Sequence, residues 1–279
     1  VTFLLKPIEL LYRGVNRARR ALYRAGVLQA KRLPKPVISV GNIAIGGSGK
    51  TPAVIAIARA LVDEGLKVTV LTRGYGRTGE GGRVDNFDAA RFGDEPLVIH
   101  KAVPNANVIV GSKRHENGLR QKCDVYLLDD GFQHLQLHRD VDVVIDAPHA
   151  RWYREGRSAL RDADVILQRK LRPTGYESLV GRRVFAFSGL ADNEQFFAML
   201  RTLGIDVVAT RSFADHYRYT PADVEEIKRA AAAAGAEQIA TTEKDAVKIG
   251  DESMIAVGVE FVIDAADLRR IVSCVRLQQ

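Results

Sequence analysis

The chain has 279 residues, 46% of them hydrophobic and 27% charged, proportions ordinary for a folded protein of one large or two modest domains. Its two cysteines, Cys123 and Cys274, are too far apart to suggest a disulfide framework or a zinc cluster, which points to a reducing compartment. No apolar run is long enough to span a bilayer and no signal peptide is evident, while the net charge of +7 is concentrated in residues 1–35, which hold nine basic side chains and one acid.

Residues 1–30 read as an amphipathic helix. Leu4, Ile8, Leu11, Val15, Ala18, Leu22 and Ala25 recur at steps of three and four and form one apolar stripe. Arg13, Arg17, Arg20 and Arg24 follow the same steps on the opposite side. Such a helix suits an anionic membrane surface, or packs on its own domain with its arginines in solvent. Nucleic acid is a weaker partner, because no basic and aromatic pattern continues beyond this segment.

Val37-Ile38-Ser39-Val40 then reads as a buried parallel strand, followed by the glycine-rich Gly41-Asn42-Ile43-Ala44-Ile45-Gly46-Gly47-Ser48-Gly49-Lys50-Thr51 and a helical run to about Gly65. Strand, glycine loop and helix in that order are the context of a phosphate-binding loop. Glycines let backbone N–H groups close on phosphate oxygens, and the new helix offers further donors. On this reading Ala44, Ile45, Gly46, Gly47, Ser48, Gly49, Lys50 and Thr51 cradle the nucleotide. Lys50 reaches the terminal phosphates and Thr51 ligates Mg²⁺. The usual first glycine of the motif is Ala44 here.

The strand 68–72 leads into Arg73-Gly74-Tyr75-Gly76-Arg77, placed either to meet an anionic ligand or as a plain turn. Residues 78–91 read as a mobile polar loop. Gly93-Asp94-Glu95-Pro96 suits a helix start, or a general base or metal ligand facing the phosphates. A strand at 107–110 precedes the basic cluster Lys113-Arg114-His115. The apolar strand Val125-Tyr126-Leu127-Leu128 ends in Asp129-Asp130, the usual magnesium-holding partner of a phosphate loop. Gly131-Phe132-Gln133-His134 extends it as a sharp turn. Strands at 141–146 and 165–168 enclose the loop Trp152-Tyr153-Arg154-Glu155-Gly156-Arg157, and 171–175 reads as a linker.

A second α/β unit opens with the strand 183–187, the helix 193–203 and the strand 206–210. In Phe213-Ala214-Asp215-His216-Tyr217 the histidine is structural, or tuned by Asp215 and the aromatics around it. A helix 221–234 capped by Thr220, a strand 238–242, a short capped helix from Thr242-Glu243-Lys244-Asp245, a strand 259–263 and a helix 265–275 complete the chain.

Six stretches in series resemble one family, the tetraacyldisaccharide 4′-kinases of lipid A biosynthesis. They are the segment from Val40 to Pro52, Arg73-Gly74-Tyr75-Gly76-Arg77, Gly93-Asp94-Glu95-Pro96, Asp129-Asp130-Gly131-Phe132-Gln133-His134, Phe213-Ala214-Asp215-His216-Tyr217 and Thr241-Thr242-Glu243-Lys244-Asp245-Ala246-Val247. The resemblance implies an α/β fold: a P-loop NTPase-type, mostly parallel sheet flanked by helices over 1–172, carrying the amphipathic helix, and a smaller α/β domain over 173–279. It implies transfer of the ATP γ-phosphoryl group to the 4′-hydroxyl of a lipid A disaccharide precursor. The reaction would take place at the cytoplasmic face of the inner membrane, with no nucleic acid and no obligate protein partner. It implies Asp94 as the base, paired with His216, and Lys50 as a stabiliser of the transferring group. Thr51 with Asp129 or Asp130 would hold Mg²⁺, assisted by Glu95. Asn42, Arg73, Tyr75, Arg77, Arg114, Gln133 and His134 would lie on the substrate side. Gly156-Arg157, where relatives often carry Pro-Leu, and the lack of a proline in 191–193 depart from the family pattern. A P-loop switch that binds a partner through the basic helix, and a soluble kinase of small metabolites, are the alternatives.

Overall fold

The structure, a computed structural model, describes residues 6–44, 49–146, 148 and 152–276, with the backbone alone for 6–10 and 276. The first unit begins with α1 (Lys6–Arg24) and β1 (Val37–Asn42), all six residues of which are buried. There follow α2 (Lys50–Asp63), β2 (Val68–Thr72), β3 (Gly82–Arg83), α3 (Ala89–Phe92), α4 (Asp94–Ala102) and β4 (Asn107–Val110). α5 (Arg114–Leu119), β5 (Val125–Asp129), β6 (Val141–Asp146) and β7 (Val165–Gln168) complete it. The strands form one sheet in the order β3-β4-β2-β5-β1-β6-β7, parallel except at β3. Runs such as Val-Ile-Ser-Val and Val-Tyr-Leu-Leu are apolar on both faces because helices cover both faces. α2 packs on β1, β2 and β5, and α4 packs on β4.

The second unit comprises β8 (Leu171–Thr174), β9 (Arg183–Ser188), α6 (Asn193–Thr202), β10 (Asp206–Ser212), α7 (Pro221–Ala233), β11 (Gln238–Thr242), α8 (Glu243–Ile249), β12 (Met254–Phe261) and α9 (Ala265–Arg276). Its sheet runs β10-β9-β11-β12-β8, parallel except for β8 against β12. Phe187, Phe213, Tyr217 and Tyr219 form a ring cluster beneath the loop after β10, with centroids 4.8 to 6.1 Å apart. That cluster fixes the loop carrying His216.

Four local expectations change. Residues 78–91 are not a structureless loop: Gly82 and Arg83 pair with β4, and α3 is capped by Asp88. The expected linker is β8, paired from Leu171↔Phe261 to Thr174↔Gly258, so Pro173 sits in a strand at the sheet edge. β12 begins at Met254 rather than 259, because its early residues pair with β11 and its later ones with β8. The last helix does not stay with the smaller sheet. α9 packs on β6, β7 and α2, where Ile271, Val272 and Val275 join the larger core, so a boundary at 172/173 does not describe residues 265–276.

Candidate active site

β1 and β5 are hydrogen-bonded neighbours in register Val40↔Asp129. The glycine loop after β1 and the aspartates ending β5 therefore emerge side by side at the carboxyl edge of the sheet, where open α/β sheets bind ligands. Gly49, at φ 82°, turns the chain into α2, a conformation that costs a side-chain-bearing residue. Lys50 and Thr51 occupy the first turn of that helix. Ala44 is buried and bridges to Tyr153, while Ile45, Gly46, Gly47 and Ser48 lie outside the described residues.

Lys50 Nζ lies 3.7 Å from Asp130 Oδ1. Arg154 Nη1 donates to both carboxylate oxygens of Asp130, at 3.0 and 2.8 Å. Burial pushes the Asp130 carboxyl up, but Lys50 and Arg154 outweigh it and hold it below the usual range. Asp129 is different. It is buried, accepts a 2.8 Å hydrogen bond from Thr72 Oγ1, and is pushed up to about 6 by burial and then by the charges of Asp130 and Glu95. Asp129, Asp130 and Glu95 thus lie close enough to act on one another, and Asp129 is the one of the three with no ion-pair partner among the described residues. Among the described residues no three His, Cys, Asp or Glu side chains form a metal cage. That donor set fits Mg²⁺, which is held by one or two carboxylates together with phosphate oxygens and water.

The second half of the site is Asp94. Gly93, at φ 86°, turns the chain so that Asp94 is the first residue of α4, and a side chain there would meet the Tyr75 carbonyl oxygen at 2.7 Å. A helix N-terminus favours its carboxylate. His216 Nδ1 lies 2.9 Å from Asp94 Oδ2 across 122 residues of sequence, so the two candidates are brought together. His216 itself adopts the left-handed region, φ 58°. The Tyr75 ring packs 5.8 Å from the imidazole, and Arg218 Nη2 donates to Thr78 Oγ1 at 3.3 Å. The loops after β2 and β10 therefore meet over Asp94. Glu95 is engaged by Lys244 Nζ at 2.9 Å, a partner that its proposed metal role did not anticipate.

The expected substrate residues divide. Arg73 and Tyr75 are exposed at the mouth of the site. Arg77 is held by its own loop: Nε donates to the Arg73 carbonyl at 3.2 Å and Nη1 to the Gly79 carbonyl at 2.9 Å. Two of its guanidinium nitrogens thus close that turn. Arg114 is buried beside the aspartates, with Nη1 donating to the Asp130 carbonyl at 3.3 Å. Burial lowers its pKa, and Asp129 and Asp130 offset part of that. Asn42 is fully buried, and its side-chain amide has no partner among the described residues. Gln133 Nε2 donates to the Asn42 carbonyl and to Glu155 Oε1, both at 2.9 Å. Burial, then Arg114, Arg139 and Arg19, depress His134 to about 4, so it is neutral at pH 7.

Sequence reasoning left Arg154, Glu155, Arg20 and Lys248 without roles. Glu155 is buried and receives Arg20 Nε at 2.9 Å and Nη2 at 2.8 Å. Arg20 also donates to the Phe132 carbonyl at 3.2 Å and stacks over that ring at 4.2 Å. Asn16 Nδ2 donates to the Arg154 carbonyl at 3.1 Å. α1 is therefore docked through Asn16 and Arg20, while Leu11, Val15 and Leu22 are exposed. The second expected arrangement, packing with the arginines in solvent, is corrected in that Arg20 is buried and the helix docks by its polar side, which leaves the apolar stripe outward. Among the described residues no helix is long and apolar enough to cross a membrane.

A family model described as tetraacyldisaccharide-1-P 4′-kinase (LpxK) matches residues 1–158 and 146–275. The tetraacyldisaccharide 4′-kinase of Pelobacter propionicus is 38% identical over 88% of this chain and 82% of its own. That of Geobacter metallireducens is also 38% identical, over 90% of this chain and 89% of its own. A solved structure of LpxK from Aquifex aeolicus in complex with ATP superposes with a TM-score of 0.82 at 30% identity, covering 100% of this chain and 99% of that one. On these likenesses over nearly its whole length, the chain belongs to the tetraacyldisaccharide-1-P 4′-kinase family.

Proposed function

We propose that this chain carries out its family's reaction, transfer of the ATP γ-phosphoryl group to the 4′-hydroxyl of a tetraacyldisaccharide 1-phosphate, with Asp94 as the base. The observation that carries the assignment is the 2.9 Å contact between His216 Nδ1 and Asp94 Oδ2, made across the two units. A sugar hydroxyl is a weak nucleophile, so its proton must leave as the new P–O bond forms. His216 and Lys248 both face Oδ2 of Asp94, which leaves Oδ1 to take that proton. Lys50 and the loop amides stabilise charge on the transferring group. Thr51, Asp129 and Asp130 would hold Mg²⁺, which supplies charge neutralisation between the β- and γ-phosphates when bound. Arg154 and Lys50 hold Asp130 ionised for that task.

Arg73 and Tyr75, exposed near His216, are the side chains best placed for the acceptor's existing phosphate. The exposed Leu11, Val15 and Leu22 on α1, with the basic residues flanking them, support association with the anionic cytoplasmic face of the inner membrane, where a lipid acceptor resides. The test is incubation with γ-labelled ATP and the tetraacyldisaccharide 1-phosphate in mixed micelles. Label on the 4′ position of the acceptor is expected. ATP hydrolysis with no labelled acceptor would reject this reading in favour of a nucleotide switch.

A further inference from the structure

The segment 241–248, Thr-Thr-Glu-Lys-Asp-Ala-Val-Lys, supplies no group that touches the reactants in the chemistry above, yet it ends beside Asp94. Thr242 caps α8, accepting from Asp245 N at 3.2 Å. Asp245 is completely buried, and its Oδ2 accepts from Thr242 Oγ1 at 2.7 Å and from Gly189 N at 2.9 Å. Its other oxygen lies 2.8 Å from Lys248 Nζ, a close ion pair whose angles fall short of a hydrogen bond. The Lys248 side chain is only 5% exposed, and its ammonium lies 5.2 Å from the centre of the Tyr219 ring and 3.6 Å from Asp94 Oδ2. A buried ammonium is costly unless its surroundings hold it. Here every group around it is fixed.

We infer that Lys248 is a positioning residue for Asp94, and that the 241–248 segment exists at this place to hold that ammonium. Asp245 and Lys248 are three residues apart and share one face of α8. Val247, on the same short helix, is buried in the core shared with α4. α8 thus docks rigidly on the helix whose first residue is Asp94. A structural pair would need only Asp245 and Lys248. The ammonium instead faces a second carboxylate, on the same oxygen that meets His216. An ammonium and an imidazole nitrogen on Oδ2 fix the rotation of the Asp94 carboxylate and aim Oδ1 at the acceptor. Without Lys248 the carboxylates of Asp94 and Asp245 would face each other uncompensated, and Asp94 would be held by His216 alone. This inference rests on Asp94 being the base.

The experiment compares K248M, K248R, D94N and the K248M/D94N double variant in single-turnover transfer from ATP to the tetraacyldisaccharide 1-phosphate, together with ATP binding. Mispositioning predicts a fall in kcat of about 10- to 100-fold for K248M with the KM for ATP nearly unchanged. K248R keeps the charge and recovers most of the rate. In the D94N background K248M adds little further loss, because the residue through which it acts is already gone. Should K248M not fold, K248Q, which keeps most of the stem without the charge, is read in the same way. Native kcat in K248M, or a loss that multiplies in the double variant, overturns the inference while leaving Asp94 as base. Near-native turnover of D94N overturns both.

Discussion

His134 is a half-buried imidazole facing three arginines. Burial first, and then Arg114, Arg139 and Arg19, push its proton affinity down to about 4 from an ordinary 6.5. Its contribution to stability is therefore present above pH 6.5, where both states are neutral, and is lost as the pH falls towards 4, because the unfolded chain binds the proton first. Asp129, raised to about 6, works in the opposite sense: its contribution is present below the ordinary carboxylate range and is lost as the pH rises through 6. Comparing H134N with the native chain isolates the histidine. Urea denaturation between pH 4 and 7 is expected to show a shallower acid-side loss of stability in H134N. Equal slopes would mean that His134 is not held neutral by the fold. Lys50, Asp129 and Asp130 could be picked out of the sequence because each sits in a motif with a mechanical reason, whereas Asp94 and His216 had an ordinary structural reading as well and were paired only by the family resemblance. A guanidinium between glycines can bind a ligand or close its own turn, and the contacts of Arg77 with the Arg73 and Gly79 carbonyls were not legible in the sequence, because they depend on how the loop folds.

At the scale of elements, α1 shows what periodicity can and cannot tell. The steps of three and four separate an apolar side from an arginine side, but nothing local says which side faces inward. That is set by Glu155, 135 residues away, which draws Arg20 into a buried pair. Breaking such a pair from one side costs about 3 kcal/mol, so the polar face is the anchored one. The apolar face is left outward. Replacing Leu11, Val15 and Leu22 together by glutamate is expected to leave the melting temperature nearly unchanged, since all three are exposed. The same change is expected to abolish co-sedimentation with anionic phospholipid vesicles. A fall of several degrees in melting temperature, with vesicle binding kept, would mean that this stripe packs on protein in solution. Elements read from continuous apolar runs, such as β1, β2 and β5, matched their expected ranges closely. The misses lay at β3, β8 and β12, which are very short or interrupt their apolar residues with glycine, proline or charge.

At the scale of the whole molecule, the site is assembled from two sheets. The larger one supplies the phosphate loop, the paired aspartates and Asp94. The smaller one supplies His216, Lys244 and Lys248, which meet the two carboxylates at the start of α4. The order of motifs along the chain announced both units, but not that α8 and α9 pack back onto the larger one. That return follows from side chains such as Val247, Phe261, Ile271 and Val275, apolar residues with no periodic signature of their destination. Its consequence is a small unit that reaches Asp94 and Glu95 by direct contacts. The central claim is that this cross-unit setting makes Asp94 the group that activates the acceptor hydroxyl. Single-turnover transfer by D94N with ATP already bound measures it directly. The account predicts normal ATP affinity and a rate at least about a hundredfold below native; a native rate at full ATP occupancy would contradict it.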